Sequence, residues 1–141
     1  MKATELMIGD WVGRVFDDKR IDYRQVDWIR TGEIGMRYQK VWAIGCIEPI
    51  PLTPEILEKN GFYDLNTQWY YKRFLSNDCF DIHISLVYRE IEVSKVYGVG
   101  TECEGVECDS SIVFGNDICV HEMQNALRLC GLNELADNFK I

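Results

Sequence analysis

The sequence predicts an α+β protein. An N-terminal SH3-like small β-barrel module spans residues 1–50, and an antiparallel sheet packed by two helices spans 51–141. Three observations predict it. The first fifty residues carry four short runs rich in Val, Ile, Trp and Tyr, broken by turn residues. Later stretches alternate apolar and polar residues at the period of a strand. Two segments, near Thr53 and Asp117, carry the start and stop residues of helices.

The β runs are Asp10–Phe16, Tyr23–Arg30, Ile34–Tyr38 and Val41–Ile47, with turns at Asp17-Asp18-Lys19 and Thr31-Gly32-Glu33. Short strands at such close spacing suit a small curled sheet that closes its own edges. The stretch Ile47–Leu52 contains Pro49 and Pro51 and is the expected boundary, because each proline holds the residue before it extended.

A helix then starts at Thr53, a good N-cap, with Pro54 in the first helical position and Glu55 and Glu58 near the positive end of the helix dipole. Asn60-Gly61 ends it, with Ile56 and Leu57 turned to the core. Trp69–Leu75 is the next strand. Phe80, Ile82, Ile84, Leu86 and Tyr88 form one apolar face, and the phase then shifts to Ile91 and Val93, which places a turn or bulge near Arg89-Glu90. A hairpin spans Val96 to Phe114. The last long element is a helix from about Asp117 to Cys130, with Cys119, Val120, Met123, Ala126, Leu127 and Cys130 on one side. His121, Glu122, Gln124, Asn125 and Arg128 share the other. Gly131 ends it, and Asn133 caps a short final turn.

The chain has 141 residues, 47% hydrophobic and 27% charged with three prolines, which is the composition of a folded domain or two small ones. The N-terminal segment does not read as a signal peptide, so a cytoplasmic protein with reduced cysteines is expected. Net charge is −8, and it lies wholly in residues 51–141, which hold seven basic and fifteen acidic residues against eight and eight in residues 1–50. The acidic half argues against nucleic-acid binding, which draws affinity from neutralising phosphates with Lys and Arg.

Several strings invite chemistry. His121-Glu122-Met123-Gln124-Asn125 resembles the opening of a zinc-protease helix, but Asn125 stands where the second histidine belongs. Cys119 and Cys130 lie on the opposite helix face from His121, so no Cys/His pair forms within the helix, and buried cysteine packs as a small hydrophobe. Cys103 and Cys108 lack the second pair that a zinc site needs, and the acids around them lack the spacing of a calcium loop, which leaves a polar hairpin tip at Glu104-Gly105. Gly98-Val99-Gly100 lacks the third glycine of a dinucleotide fingerprint. No metal and no cofactor are expected.

Three segments in order carry a resemblance: Leu6–Val12 (Leu-Met-Ile-Gly-Asp-Trp-Val), Glu48–Leu57 running on to Asn60-Gly61-Phe62, and Val120–Leu127 (Val-His-Glu-Met-Gln-Asn-Ala-Leu). The chain resembles a family of short proteins of no established function from Bacteroides-group gut bacteria and their phages or prophages. That family shows an "IGN-aromatic-V" start, a central "PIPLT" helix entry and a late "VHQLQN" helix. Here Asp10 replaces the usual Asn, and Glu122 and Met123 replace Gln and Leu. The resemblance implies an origin in a mobile element and no particular activity.

The functional expectation is a non-catalytic accessory or interaction protein with a protein partner and no membrane association. His121, Gln124, Asn125 and Arg128 are the candidate contact face, with the alternative that they are solvated or bonded to the protein's own loops. The alternative function is nucleic-acid binding by the N-terminal module through Arg14, Lys19, Arg20, Arg24 and Arg37 with Trp11 and Trp28. A third is a hydrolase using His83 or His121 with carboxylates, which needs a pocket to assemble them.

Overall fold

The computed structural model describes residues 3–36 and 40–141, and the chain divides into two compact units. The first takes residues up to Pro51 together with Cys119–Phe139. The second takes Leu52–Ile118 with Lys140.

In the first unit, β1 (Trp11–Val15), β2 (Ile21–Arg30), β3 (Glu33–Met36) and β4 (Lys40–Ala43) form an antiparallel sheet in sequence order. The β2–β3 connection is the two-residue loop Thr31-Gly32, and Gly32 sits at φ +82°, a left-handed geometry that glycine adopts without steric cost. Alternation puts Val12, Val26, Ile34, Met36 and Trp42 on one face, where they bury together with Leu6 and Ile47. Asp27 is an extra residue in β2: Val26 pairs with Met36 but Trp28 pairs with Gly35, so the phase flips between them.

After β4 a 3-10 turn, Ile44–Cys46, brings the chain back to β1, where Gly13 and Glu48 exchange two backbone hydrogen bonds of 3.1 and 2.8 Å. Among the described residues β1 and β4 do not pair, and the expected closed barrel does not form: the sheet stays open. The return segment holds Pro49 and Pro51, which have no N–H to extend a ladder along β1. The expected strand over Val41–Ile47 accordingly ends at Ala43. Part of the run Ile34–Tyr38 lies outside the described residues.

The late helix, α2 (Val120–Leu129), and a short α3 (Asn133–Asp137) complete this first unit. This corrects the expectation that the late helix packs on the second sheet. Val120 donates its N–H to Ile50 at 2.8 Å, and Cys119 bridges Pro51, so the helix starts on the first unit's own strand return. Of its expected apolar face Val120, Met123, Ala126 and Leu127 are buried and Cys119 and Cys130 half-buried, alongside buried Leu132, Leu135, Ala136 and Phe139. Gly131, at φ +80°, lets Gly131 and Leu132 bond back to Arg128 and Leu127, satisfying carbonyls that the helix end would leave open.

In the second unit, α1 (Pro54–Lys59) is capped by Thr53, whose Oγ1 accepts from Ile56 N–H, and closed at Gly61 by the same paired bonds. Strands β5 (Tyr63–Asp64), β6 (Tyr70–Leu75), β7 (Cys79–Ser85), β8 (Glu90–Tyr97) and β9 (Gly105–Val113) follow as an antiparallel meander in sequence order. Ile82, Ile84, Ile91 and Val93 bury one face, with Leu57 and Phe62 also in this unit's core. The apolar alternation after Phe80 stops at Ser85. Leu86 and Tyr88 belong to a turn in which Ser85 Oγ accepts from Tyr88 N–H and Arg89 takes φ +56°.

Candidate functional site

On the polar face of α2, His121 and Gln124 are buried and Glu122, Asn125 and Arg128 half-buried, and the bonds of this face run to the protein's own backbone and loops, the alternative expected for it. Gln124 is fully buried, and each of its polar atoms is used. Its Oε1 accepts the Trp11 backbone N–H at 2.9 Å, and its Nε2 donates to the carbonyls of Gly9 (3.1 Å) and Ala136 (2.8 Å). Arg128 donates to Asp10, which is also fully buried, and to Asp137 at 3.0 and 3.2 Å. Asp10 accepts a second bond from Met7 N–H at 2.8 Å. Asn125 accepts from Arg128 at 3.0 Å and donates to the Glu5 carbonyl at 3.2 Å. The Trp11 indole donates to Phe139 O at 2.6 Å, and Gln25 donates to Gly9 and Asp137 carbonyls. These bonds lock α2 and α3 onto β1, because a buried polar group without a partner costs more than the bond contributes.

Burial pushes the Asp10 carboxyl up, against the lowering effects of Arg128 and the Met7 N–H. Burial likewise pushes His121 down, with Glu122, Asp10 and Glu5 opposing. His121 Nδ1 is buried without a hydrogen-bond partner among the described residues. His121 is thus a packed, neutral side chain rather than a solvent-facing one.

The residues assigned to a nucleic-acid face split across two faces. Trp11 pairs with Gln25 while Val12 pairs with Arg24, so Trp11 and Arg24 point to opposite sides. Arg14 shares the side of Arg24. Trp28 would share it too, but the Asp27 bulge moves it to the side of Trp11, where it lies flat over Gly35. A Cβ there would come within 2.0 Å of the indole. Arg24 pairs with Asp22 at 3.1 Å, and Arg14 stacks on the Phe16 ring at 4.8 Å. Arg20 covers the same ring and also pairs with Asp18. Arg37 lies outside the described residues.

The second unit holds a polar cluster that the sequence reading missed. On the face opposite its core, register places Tyr71, His83, Glu92 and Ser111 in one row and Arg73, Asp81, Ser94 and Asp109 in the next. Asp81 takes a bidentate pair from Arg73 (2.7 and 2.8 Å) and the Tyr71 hydroxyl at 2.7 Å, while Arg73 also reaches Glu104 at 2.7 Å. Arg73 holds the Asp81 carboxyl below the usual range. Burial and the Asp81 carboxylate push the Tyr71 phenol up to about 12. The Tyr71 ring lies 5.0 Å from His83 and 5.2 Å from Tyr63. The signal was present: the turn Ser76-Asn77-Asp78 fixes the register that sets Arg73 opposite Asp81.

Two open clefts are described. One of about 300 Å³ is lined by Arg14, Phe16, Asp17, Cys46 and Glu48 among others. Another of about 430 Å³ is lined by residues including Pro54, Asp64, Asn66, Gln68, Tyr70 and Leu86. Neither holds a histidine. His83 lies on the open sheet face of one unit and His121 inside the other. Among the described residues no cluster of His, Cys, Asp or Glu has the geometry to hold a metal, and Cys103 is an exposed free thiol. No described helix is long and apolar enough to cross a membrane. No family model, curated protein or solved structure matches this chain.

Proposed function

We propose that the protein is a non-catalytic accessory module, of phage or prophage origin, that acts by binding another protein in the cytoplasm. One observation carries this reading. Gln124, Arg128, Asp10, Arg73, Asp81 and Tyr71 are tied into structural bonds, while the second unit's sheet has at one edge a nine-residue strand, β9, with no strand beyond it among the described residues. The pairs of Gln124, Arg128 and Asp10 hold one unit together, and the Arg73–Asp81–Tyr71 set braces the other's sheet. An SH3-like reading of the first unit is supported by its four-strand meander, the 3-10 turn at Ile44–Cys46 and the return of Glu48 to Gly13. Fold likeness alone assigns no ligand.

Nucleic-acid binding finds less support, since the aromatic and basic residues invoked for it face opposite ways and two of the arginines have carboxylate partners. A hydrolase needs a cleft with a histidine, and neither described cleft supplies one. Affinity capture with the tagged full-length chain from its host, with and without phage induction, tests the proposal. It predicts a stoichiometric protein partner. Co-purified nucleic acid without a protein partner overturns it.

A further inference from the structure

Strand β9 is the outer strand of the second sheet, bonded to β8 on one side and, among the described residues, to no strand on the other. It is long for an edge, since strands average about 5–6 residues. It is also open to solvent: Val106 is 58% and Val113 69% exposed. Exposed edges present unpaired N–H and C=O groups and are either protected or used.

The protection here is electrostatic and local. Glu107 is an extra residue that shifts the β8–β9 register, and Asp109 stands two residues on. These features argue against a second copy of the chain as the occupant. Two β9 edges meeting antiparallel would bring Glu107 and Asp109 of each copy together, and like charges opposite one another destabilise a strand pair. The wider unit is strongly acidic, with six basic against twelve acidic residues.

The register specifies what fits instead. Asp109 and Ser111 share a face with Glu92 on the neighbouring strand, and Glu92 has no ion-pair partner among the described residues. Strands lie about 4.8 Å apart, so a Lys or Arg opposite the small Ser111 spans the gap to Glu92. A side chain two residues along meets Asp109. On the other face the incoming strand lies beside Ser110 and Ile112, which suits Thr or Val.

We infer that β9 is the docking edge for an extended, basic segment of a partner protein, which adds as a sixth strand with Lys or Arg at alternate positions. This rests on the interaction reading above and names the surface and the partner chemistry.

The test uses the full-length chain and a synthetic peptide of alternating lysine and threonine. Amide hydrogen exchange should slow in residues 105–113 on adding the peptide, and binding should weaken with salt. A glutamate-for-lysine peptide should not bind. Glu92→Gln or Asp109→Asn should each weaken binding roughly two- to fivefold, the scale of an exposed ion pair, and Asp109→Lys should do more. N-methylating alternate amides of the peptide should abolish binding in one of the two phases, a readout that leaves the protein's own fold untouched. Protection elsewhere than β9, indifference to N-methylation, or equal binding of the glutamate peptide overturns the inference. The host capture separates the two ideas. A partner retained by Asp109→Lys overturns the edge and leaves the interaction reading standing, whereas no protein partner for the unaltered chain overturns the reading itself.

Discussion

Asp10 and Arg128 show how much one pair of side chains decides. Asp10 is wholly buried and Arg128 nearly so, and each satisfies the other through a direct bond. Arg128→Met should therefore cost about 3–5 kcal/mol, because it leaves a buried carboxylate unpaired. Adding Asp10→Asn should recover part of that loss in urea unfolding, a non-additivity expected of contacting residues.

His121 gives a pH dependence at the same scale. Its folded pKa is lowered, so the unfolded chain binds the proton first as pH falls. Stability is then complete above the ordinary histidine value of 6.5 and declines as pH drops below it. Asp10, raised above 3.8, has the opposite sign, because the folded state takes that proton first. His121→Leu should flatten the decline just below 6.5 in denaturation midpoints measured across that range. The sequence disclosed that these residues are polar and share a helix face, but not that Gly9, Trp11 and Ala136 supply the partners. Those partners are backbone groups more than a hundred residues away, or across the turn into α3, and they leave no trace in side-chain pattern.

Elements with local signals were legible. Thr53-Pro54 and Gly61 bound α1, Gly131 ends α2, and the apolar stripe Val120, Met123, Ala126, Leu127 is the buried one. What failed depended on a single inserted residue or on an element's partner. The Asp27 bulge reverses the face of Trp28 and separates it from Arg24. The turn at Ser85–Arg89 takes Leu86 and Tyr88 out of an alternation that is continuous in sequence. Between β6 and β7 the cross-strand set has its own signature. Tyr71 should titrate near 12 in a spectrophotometric titration, and Asp81→Asn should bring it part of the way back toward 10, since burial remains after the carboxylate is neutralised. An unchanged Tyr71 titration would mean that the Asp81 bond contributes nothing to it.

At the scale of the whole molecule, the chain leaves its first unit at Pro51, builds the second from Leu52 to Ile118, and returns. The prolines advertise the first crossing. The second, at Ile118–Cys119, follows the turn residues Gly115-Asn116-Asp117, which mark a loop but not a change of unit, so the late helix reads as part of the nearer sheet. A chain ended after Ile118 should lose the fold of its first unit, because Val12 and the Gly9–Trp11 backbone lose α2, while the second unit keeps its strands. Two-dimensional amide NMR should show collapsed dispersion for residues before 51 and preserved dispersion for 52–118.

The polar face of α2 holds the helix onto β1, and urea unfolding of Gln124→Ala is the sharpest check of that role. Trp11, Trp28 and Trp42 report on the unit concerned. A loss of about 2–4 kcal/mol is expected, since the Trp11 N–H and the Ala136 carbonyl lose the partner that satisfies them. A variant as stable as the unaltered chain, with weakened capture of its partner, would contradict it.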